Sequence, residues 1–272
     1  MNNLKKIGLT ALAGSLVAST AYAGALSVSG SAGVKYQSKS GSSGTASVQG
    51  NPYSDSNGIT FSGSGDLDNG MTVGYSYTMT DAAFSTSNVT LDMGDSGKLA
   101  FGHDSAHGGI DTIKDKMPTA GEEVWDDIGS GDDAGVVDIG SDPSLYYSVN
   151  AAGINASASY ARTGTGTENS IALVASELMD GAEFGIGTGT NVASATSEDD
   201  YTTVYGKYTS GAFTIGVQLS EIDKTAANSD IDREAAAISF AVNENLSISY
   251  GISLSLIHIS EPTRPERISY AV

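Results

Sequence analysis

The sequence predicts an all-β chain that forms a transmembrane antiparallel up-and-down β-barrel. Three observations support this: apolar residues alternate with polar or small ones in runs of roughly ten positions, turn residues punctuate those runs, and an export signal precedes them. Composition removes several other classes. Cysteine is absent from the 272 residues, which excludes disulfides and thiolate metal sites. The formal net charge of −19 repels nucleic acid. Past the N-terminus no apolar run reaches the ~18 residues that a membrane-spanning helix needs.

The N-terminus is read as a secretory signal peptide over residues 1–23. Lys5 and Lys6 form a basic start, Ile7 to Val17 an apolar stretch, and Ala21-Tyr22-Ala23 a small-residue cleavage pattern. Export then leaves the barrel itself, residues 24–254.

Strand-like alternation begins at Leu26, Val28, Ala32, Val34 and Tyr36, with Ser27, Ser29, Ser31 and Lys35 on the other parity. It continues through Ile59, Phe61 and Leu67, and through Met71, Val73, Tyr75, Tyr77 and Met79. Shorter runs follow at Val89 to Met93, Leu99 to Phe101 and Leu145 to Val149. Ile154 to Tyr160, Ile171 to Ala175 and Phe184 to Ile186 come next. Tyr201 to Tyr208 is strand-like with either parity open, and Phe213 to Leu219, Ala236 to Val242 and Leu246 to Ile252 complete about 13 strands. Tight turns are expected at 68–70, 94–97, 150–153, 180–181, 209–211 and 243–245, where glycine, asparagine and aspartate accept positive φ. Long polar connections are expected near 37–57, 80–87, 104–143, 162–169, 190–200 and 220–233, so that short and long connections alternate.

A soluble sandwich alternates as well. The barrel is favoured by a polar face made of Ser, Thr, Gly and Asp, by the turn rhythm and by the export signal, since a barrel needs apolar residues toward lipid and a polar interior.

From Gly24 to about Ile252 the chain resembles the Gram-negative general porins, specifically the acidic alphaproteobacterial type. The likeness is positional: the longest connection, 104–143, follows the fifth strand, where porins place a loop that folds into the lumen. The resemblance implies a 16-stranded barrel, a water-filled channel for ions and small hydrophilic solutes, outer-membrane lipid and lipopolysaccharide as surroundings, and a homotrimer.

The long connection also has its own physical character. Ile110, Ile113, Met117, Val124, Trp125 and Ile128 are positioned to fasten it to the inner wall, with Trp125 as the principal anchor. Asp111, Asp115, Glu122, Glu123, Asp126 and Asp127 would then face the passage as an acidic constriction. The alternative is an acidic loop solvated on the outer surface. Basic residues for the opposite wall are scarce: parity turns Lys35 and Lys98 inward, leaves Lys207 ambiguous, and puts Arg162 and Arg233 at loop edges. A weakly cation-preferring pore is therefore expected. The competing function is a structural or adhesive surface barrel with no open pore.

Other signals carry less. "GDSG" at 94–97 matches the nucleophile tetrapeptide of trypsin-like proteases, but it falls in a hairpin turn, and the body histidines, His103 and His107, follow it. No resident cofactor or metal is expected. The acidic clusters "GSGDD" (129–133) and "SEDD" (197–200) suit at most loosely held calcium.

The ending, "SLIHISEPTRPERISYAV" over 255–272, breaks the pattern. Pro262, Pro265, Arg264 and Arg267 arrive together, and proline cannot donate to a strand ladder. The segment resembles the conceptual translation of sequencing-adapter sequence, so residues 255–272 are expected to be a non-native tail outside regular structure. A barrel of this type would then lack about three strands.

Overall fold

The computed structural model describes residues 26–36, 53–81, 83–103, 108–120, 144–162, 166–176, 178–194, 197–225, 230–243 and 246–258. These fall into two units, Met1–His107 with Ser141–Val149, and Gly108–Gly140 with Asn150–Val272.

The first unit holds β1 (Ser27–Tyr36), β2 (Tyr53–Asp66), β3 (Thr72–Thr80), β4 (Ala83–Asp92), β5 (Lys98–His103) and β6 (Ser144–Ala151) as far as Val149. Each pairs antiparallel with its sequence neighbour, as an up-and-down order requires. Because side chains alternate across a strand, the registers sort the residues into rows. Tyr75, Val89, Phe101 and Leu145 lie side by side on one face, and Ser62, Ser76, Asn88, Gly102 and Ser144 on the other. The second unit holds β7 (Ile154–Arg162), β8 (Thr167–Ala175), β9 (Ala182–Ser194), β10 (Ser197–Ser210), β11 (Phe213–Lys224), β12 (Asp230–Asn243) and β13 (Leu246–His258), again paired in sequence order. Neither run closes on itself among the described residues.

The two faces of the second unit are inverted relative to a water-soluble protein. Leu173, Ile186, Val204 and Leu219 form one row and are 41–54 % exposed. The adjacent row, Ser157, Ala172, Gly187, Thr203 and Ser220, is buried. A sandwich would pack the apolar rows against each other. Here the apolar face is open and the small, polar face is covered, the arrangement a barrel wall in lipid requires.

The thirteen expected strands all occur, and Tyr201 to Tyr208 resolves to one parity: Thr203 and Tyr205 are buried while Val204 is exposed. The expected alternation of short and long connections does not hold. β3 runs to Thr80 and β4 starts at Ala83, while β9 ends at Ser194 and β10 starts at Ser197, so two connections expected to be long are tight. The reason is that a ladder is made by the backbone. Thr, Ser and Asn continue it after apolar alternation stops, as where Thr190 Oγ1 donates to Asp200 Oδ1 at 2.9 Å across β9 and β10. β13 likewise continues to His258, opposite Asp230, so the first four residues of the segment set apart by composition pair with β12.

"GDSG" is a turn. Gly94–Ser96 forms a 3-10 turn, Met93 N–H donates to Gly97 O at 2.9 Å, and Tyr147 Oη donates to Ser96 O at 2.6 Å. His103 stacks on Phe84 with ring centroids 5.1 Å apart, and His107 lies outside the described residues.

Candidate functional site

Residues 108–120 open the long connection after β5. They lie on the buried, polar face of β7 to β13. A 3-10 turn over Gly109–Ile113 starts the segment, with Gly109 at φ 62°, a left-handed conformation that glycine adopts without strain. The Ile110 N–H donates to Ser170 Oγ at 2.9 Å, and Ser170 Oγ bonds Ser159 Oγ at 2.7 Å, so the wall's hydroxyls satisfy an amide that the turn leaves open.

Three apolar side chains seat the segment. Ile110 and Ile113 are fully buried and Met117 is 6 % exposed, packed with Ala172, Tyr205, Ala235 and Ala237. Burying each is worth about 1.5–3 kcal/mol. They fit because glycines leave room on the wall, some of it filled by Tyr205 over Gly185 and some by the segment. Gly185, Gly187 and Gly189 succeed one another on the covered face of β9, and Gly216 occupies the same face of β11. A Cβ at Gly187 would come 2.8 Å from Ile113 Cδ1, and one at Gly216 would come 2.7 Å from Pro118 Cδ.

Backbone polarity is met by a wall side chain. Gln218 on β11, 2 % exposed, accepts the Lys116 N–H at Oε1 (3.2 Å) and donates from Nε2 to Lys114 O (2.6 Å). Farther along, the Ala120 N–H donates to Ser249 Oγ of β13 at 2.9 Å.

The charges beneath the segment are paired. Glu183 Oε1 accepts from Lys207 Nζ at 3.0 Å and from Tyr205 Oη at 2.7 Å. Asp111 Oδ1 lies 3.0 Å from Lys114 Nζ. Burial pushes the Lys116 ammonium below its usual pKa, with Glu183 pulling the other way.

The acidic residues expected to face a passage therefore divide. Asp111 is buried against the wall in its pair with Lys114, because the first turn of the segment is the part packed most tightly; it is a docking group and not an open carboxylate. Asp115 is exposed. Glu122, Glu123, Asp126, Asp127 and the anchor Trp125 lie outside the described residues, as do Val124 and Ile128. Ile110, Ile113 and Met117 are where anchoring was expected. Lys98 shares the parity of buried Ala100 and Gly102 and sits opposite Asp92, with 3.8 Å between charged atoms. Lys35 occupies β1 opposite Ser54.

Glu183, Gln218 and the glycine file were missed from the sequence. A signal for the file exists: glycine at period two in "EFGIGTGT" leaves one strand face without side chains.

No three His, Asp or Glu residues among those described converge as a metal site. In "SEDD" the carboxylates alternate across β10, Asp199 accepting the Thr225 N–H at 3.2 Å and Asp200 the Thr190 hydroxyl. "GSGDD" lies outside the described residues.

Comparison with known proteins bears on the family and the fold. Residues 8–254 match the sequence model of the Gram-negative porins. A porin structure refined at 1.8 Å is similar, with a TM-score of 0.50 and 17 % identity over 85 % of this chain and 94 % of that one. A triple mutant of the Rhodopseudomonas blastica porin has a TM-score of 0.45 and 15 % identity, over 84 % and 94 %. At such identity the structural likeness concerns the fold. Among curated proteins none matches.

Proposed function

The chain belongs to the Gram-negative porin family, and from that premise we propose that residues 104–143 narrow its channel and give it a weak preference for cations. As a member of that family it is an outer-membrane channel protein. The channel passes ions and small hydrophilic solutes by passive diffusion. The supporting observation is the seating of residues 108–120 on the polar face of the wall, through Ile110, Ile113, Met117 and Gln218.

Charge decides the preference. Within 108–120 Asp111 and Asp115 are balanced by Lys114 and Lys116. The following stretch, 121–143, contains Glu122, Glu123, Asp126 and Asp127 with further aspartates and no lysine or arginine. Trp125 is its proposed anchor. Fixed carboxylates in a water-filled constriction favour cations, and Lys35 and Lys98 supply little on the wall to oppose them. The proposal extends to a homotrimer in lipid and lipopolysaccharide, to a signal peptide removed after Ala23, and to calcium held loosely by acidic loops.

The test is the zero-current potential across a planar bilayer in a potassium chloride gradient, together with swelling of proteoliposomes in small sugars. A cation-signed potential with swelling is expected. An anion-signed potential overturns the preference, and absence of swelling identifies a closed surface barrel.

A further inference from the structure

The seating of the segment is determined by what the wall omits. β9 presents Gly185, Gly187 and Gly189 to the covered face, and β11 presents Gly216 two residues before Gln218. At Gly187 one added methyl group would stand 2.8 Å from Ile113 Cδ1, 3.0 Å from Ile171 O and 3.2 Å from Ala172 Cβ, so the one contact below 3.0 Å is with the segment. At Gly216 it would stand 2.7 Å from Pro118 Cδ and 3.1 Å from Met117 Cε. Real Cβ atoms do not tolerate the shorter of these distances, so the segment sits closer to the wall than a substituted backbone would permit. Ile113 is fully buried, and protein interiors are close-packed, which limits how far its end can retreat. Gln218 supplies the attractive counterpart, since its amide grips Lys114 O and Lys116 N from the same wall.

We propose that Gly187 and Gly216 set how far the segment stands off the wall, with Gln218 holding it at that limit, and that these three positions thereby determine the size of solute the channel admits. This rests on the reading that the segment narrows the channel. The three are positioning residues: they act through Ile113, Pro118 and the backbone of 114–116, and touch no solute themselves. An alanine at Gly187 meets the end of Ile113 and displaces the segment away from the wall, into the passage. Shortening Ile113 to valine removes the Cδ1 atom concerned and relieves the contact with the segment, leaving the 3.0 Å approach to Ile171 O, so recovery is partial.

The experiment measures single-channel conductance and the uptake of sugars of increasing size in proteoliposomes. It compares the full-length protein with Gly187→Ala, Ile113→Val, the double variant and a deletion of residues 109–119. Heat-modifiable gel mobility confirms that each preparation is folded. The expected result is a lower conductance and a smaller size limit for Gly187→Ala, recovery toward wild type in the double variant, and an increase on deletion. A folded Gly187→Ala protein with unchanged conductance, or a deficit that Ile113→Val fails to relieve, overturns the assignment even where deletion widens the channel. A deletion that leaves conductance unchanged overturns the narrowing role itself. Should Gly187→Ala fail to fold, Gly216→Ala paired with Pro118→Ala, which removes the Cδ atom that the new methyl group would meet, makes the same comparison on β11, with the same outcomes deciding.

Discussion

The side-chain amide of Gln218 meets the backbone of Lys116 as a neighbouring strand would, accepting its N–H at 3.2 Å while donating to Lys114 O at 2.6 Å. A single wall residue thus provides both halves of a peptide-like pairing, across 102 and 104 positions of sequence. Gln218→Ala leaves a part-buried N–H and a part-buried carbonyl without that partner, at a local cost of about 1 kcal/mol. Faster proteolytic cleavage within 108–120 and noisier open-channel current are expected. Gln218→Glu keeps the acceptor for Lys116 and loses the donor to Lys114, so it should fall between the two. Cleavage no faster in Gln218→Ala than in wild type would remove the clamp from the account.

Glu183 ties Lys207 and Tyr205 together beneath the same segment. Glu183→Gln preserves a carbonyl acceptor for Tyr205 and deletes the charge that faces Lys207. The pair is partly exposed, at 25 % and 30 %, so solvent screening limits the stability loss to about 1 kcal/mol. The electrical effect should be clearer: the zero-current potential moves toward anions, because Lys207 and Lys116 lose their opposing charge. Neutralising Lys207 as well should return it. A potential that stays fixed in Glu183→Gln places this cluster outside the ion path.

How much of this the sequence carried depends on which interactions repeat. Period-two alternation at Met71 to Met79 or Phe213 to Leu219 repeats along each strand, so strand number and facing were readable. Strand ends were not, because Thr190 and Asp200 pair through backbone and hydroxyl groups that composition labels as loop. Ile110, Ile113 and Met117 were identified as anchors since apolar residues are conspicuous in an acidic loop. The burial of Asp111 is not legible in the sequence, although Lys114 stands three residues on: spacing shows that a pair can form, and only packing shows that it is buried. Gln218 and Glu183 alternate like any polar-face residues, and what singles them out is a partner distant in sequence.

The open apolar face makes a depth-dependent prediction. Val217 and Glu221 lie on one face of β11, four residues apart, with Val217 57 % exposed between Ile215 and Leu219. An arginine near the centre of the apolar band costs about 2–4 kcal/mol, and near its edge about 0–1. Val217→Arg should therefore impair refolding into lipid vesicles severely, while Glu221→Arg remains close to wild type. Equal tolerance at both positions would mean that this face does not meet hydrocarbon.

The hairpin glycines separate conformational strain from collision. Gly181 and Gly211 both have positive φ, 75° and 60°, and each sits in a tight turn. Gly211 has open space where a side chain would go, so Gly211→Ala incurs only the left-handed backbone penalty, about 1 kcal/mol. A Cβ at Gly181 would collide with the carbonyl of Thr209, whose N–H donates to Gly181 O at 2.7 Å, so the residue that must move is one that holds the hairpins together. Gly181→Ala should therefore lose about 2 kcal/mol or more, adding collision to strain. Urea unfolding of the vesicle-refolded protein compares the two directly. Equal losses would mean that Thr209 yields without cost and that backbone conformation alone requires glycine at this turn.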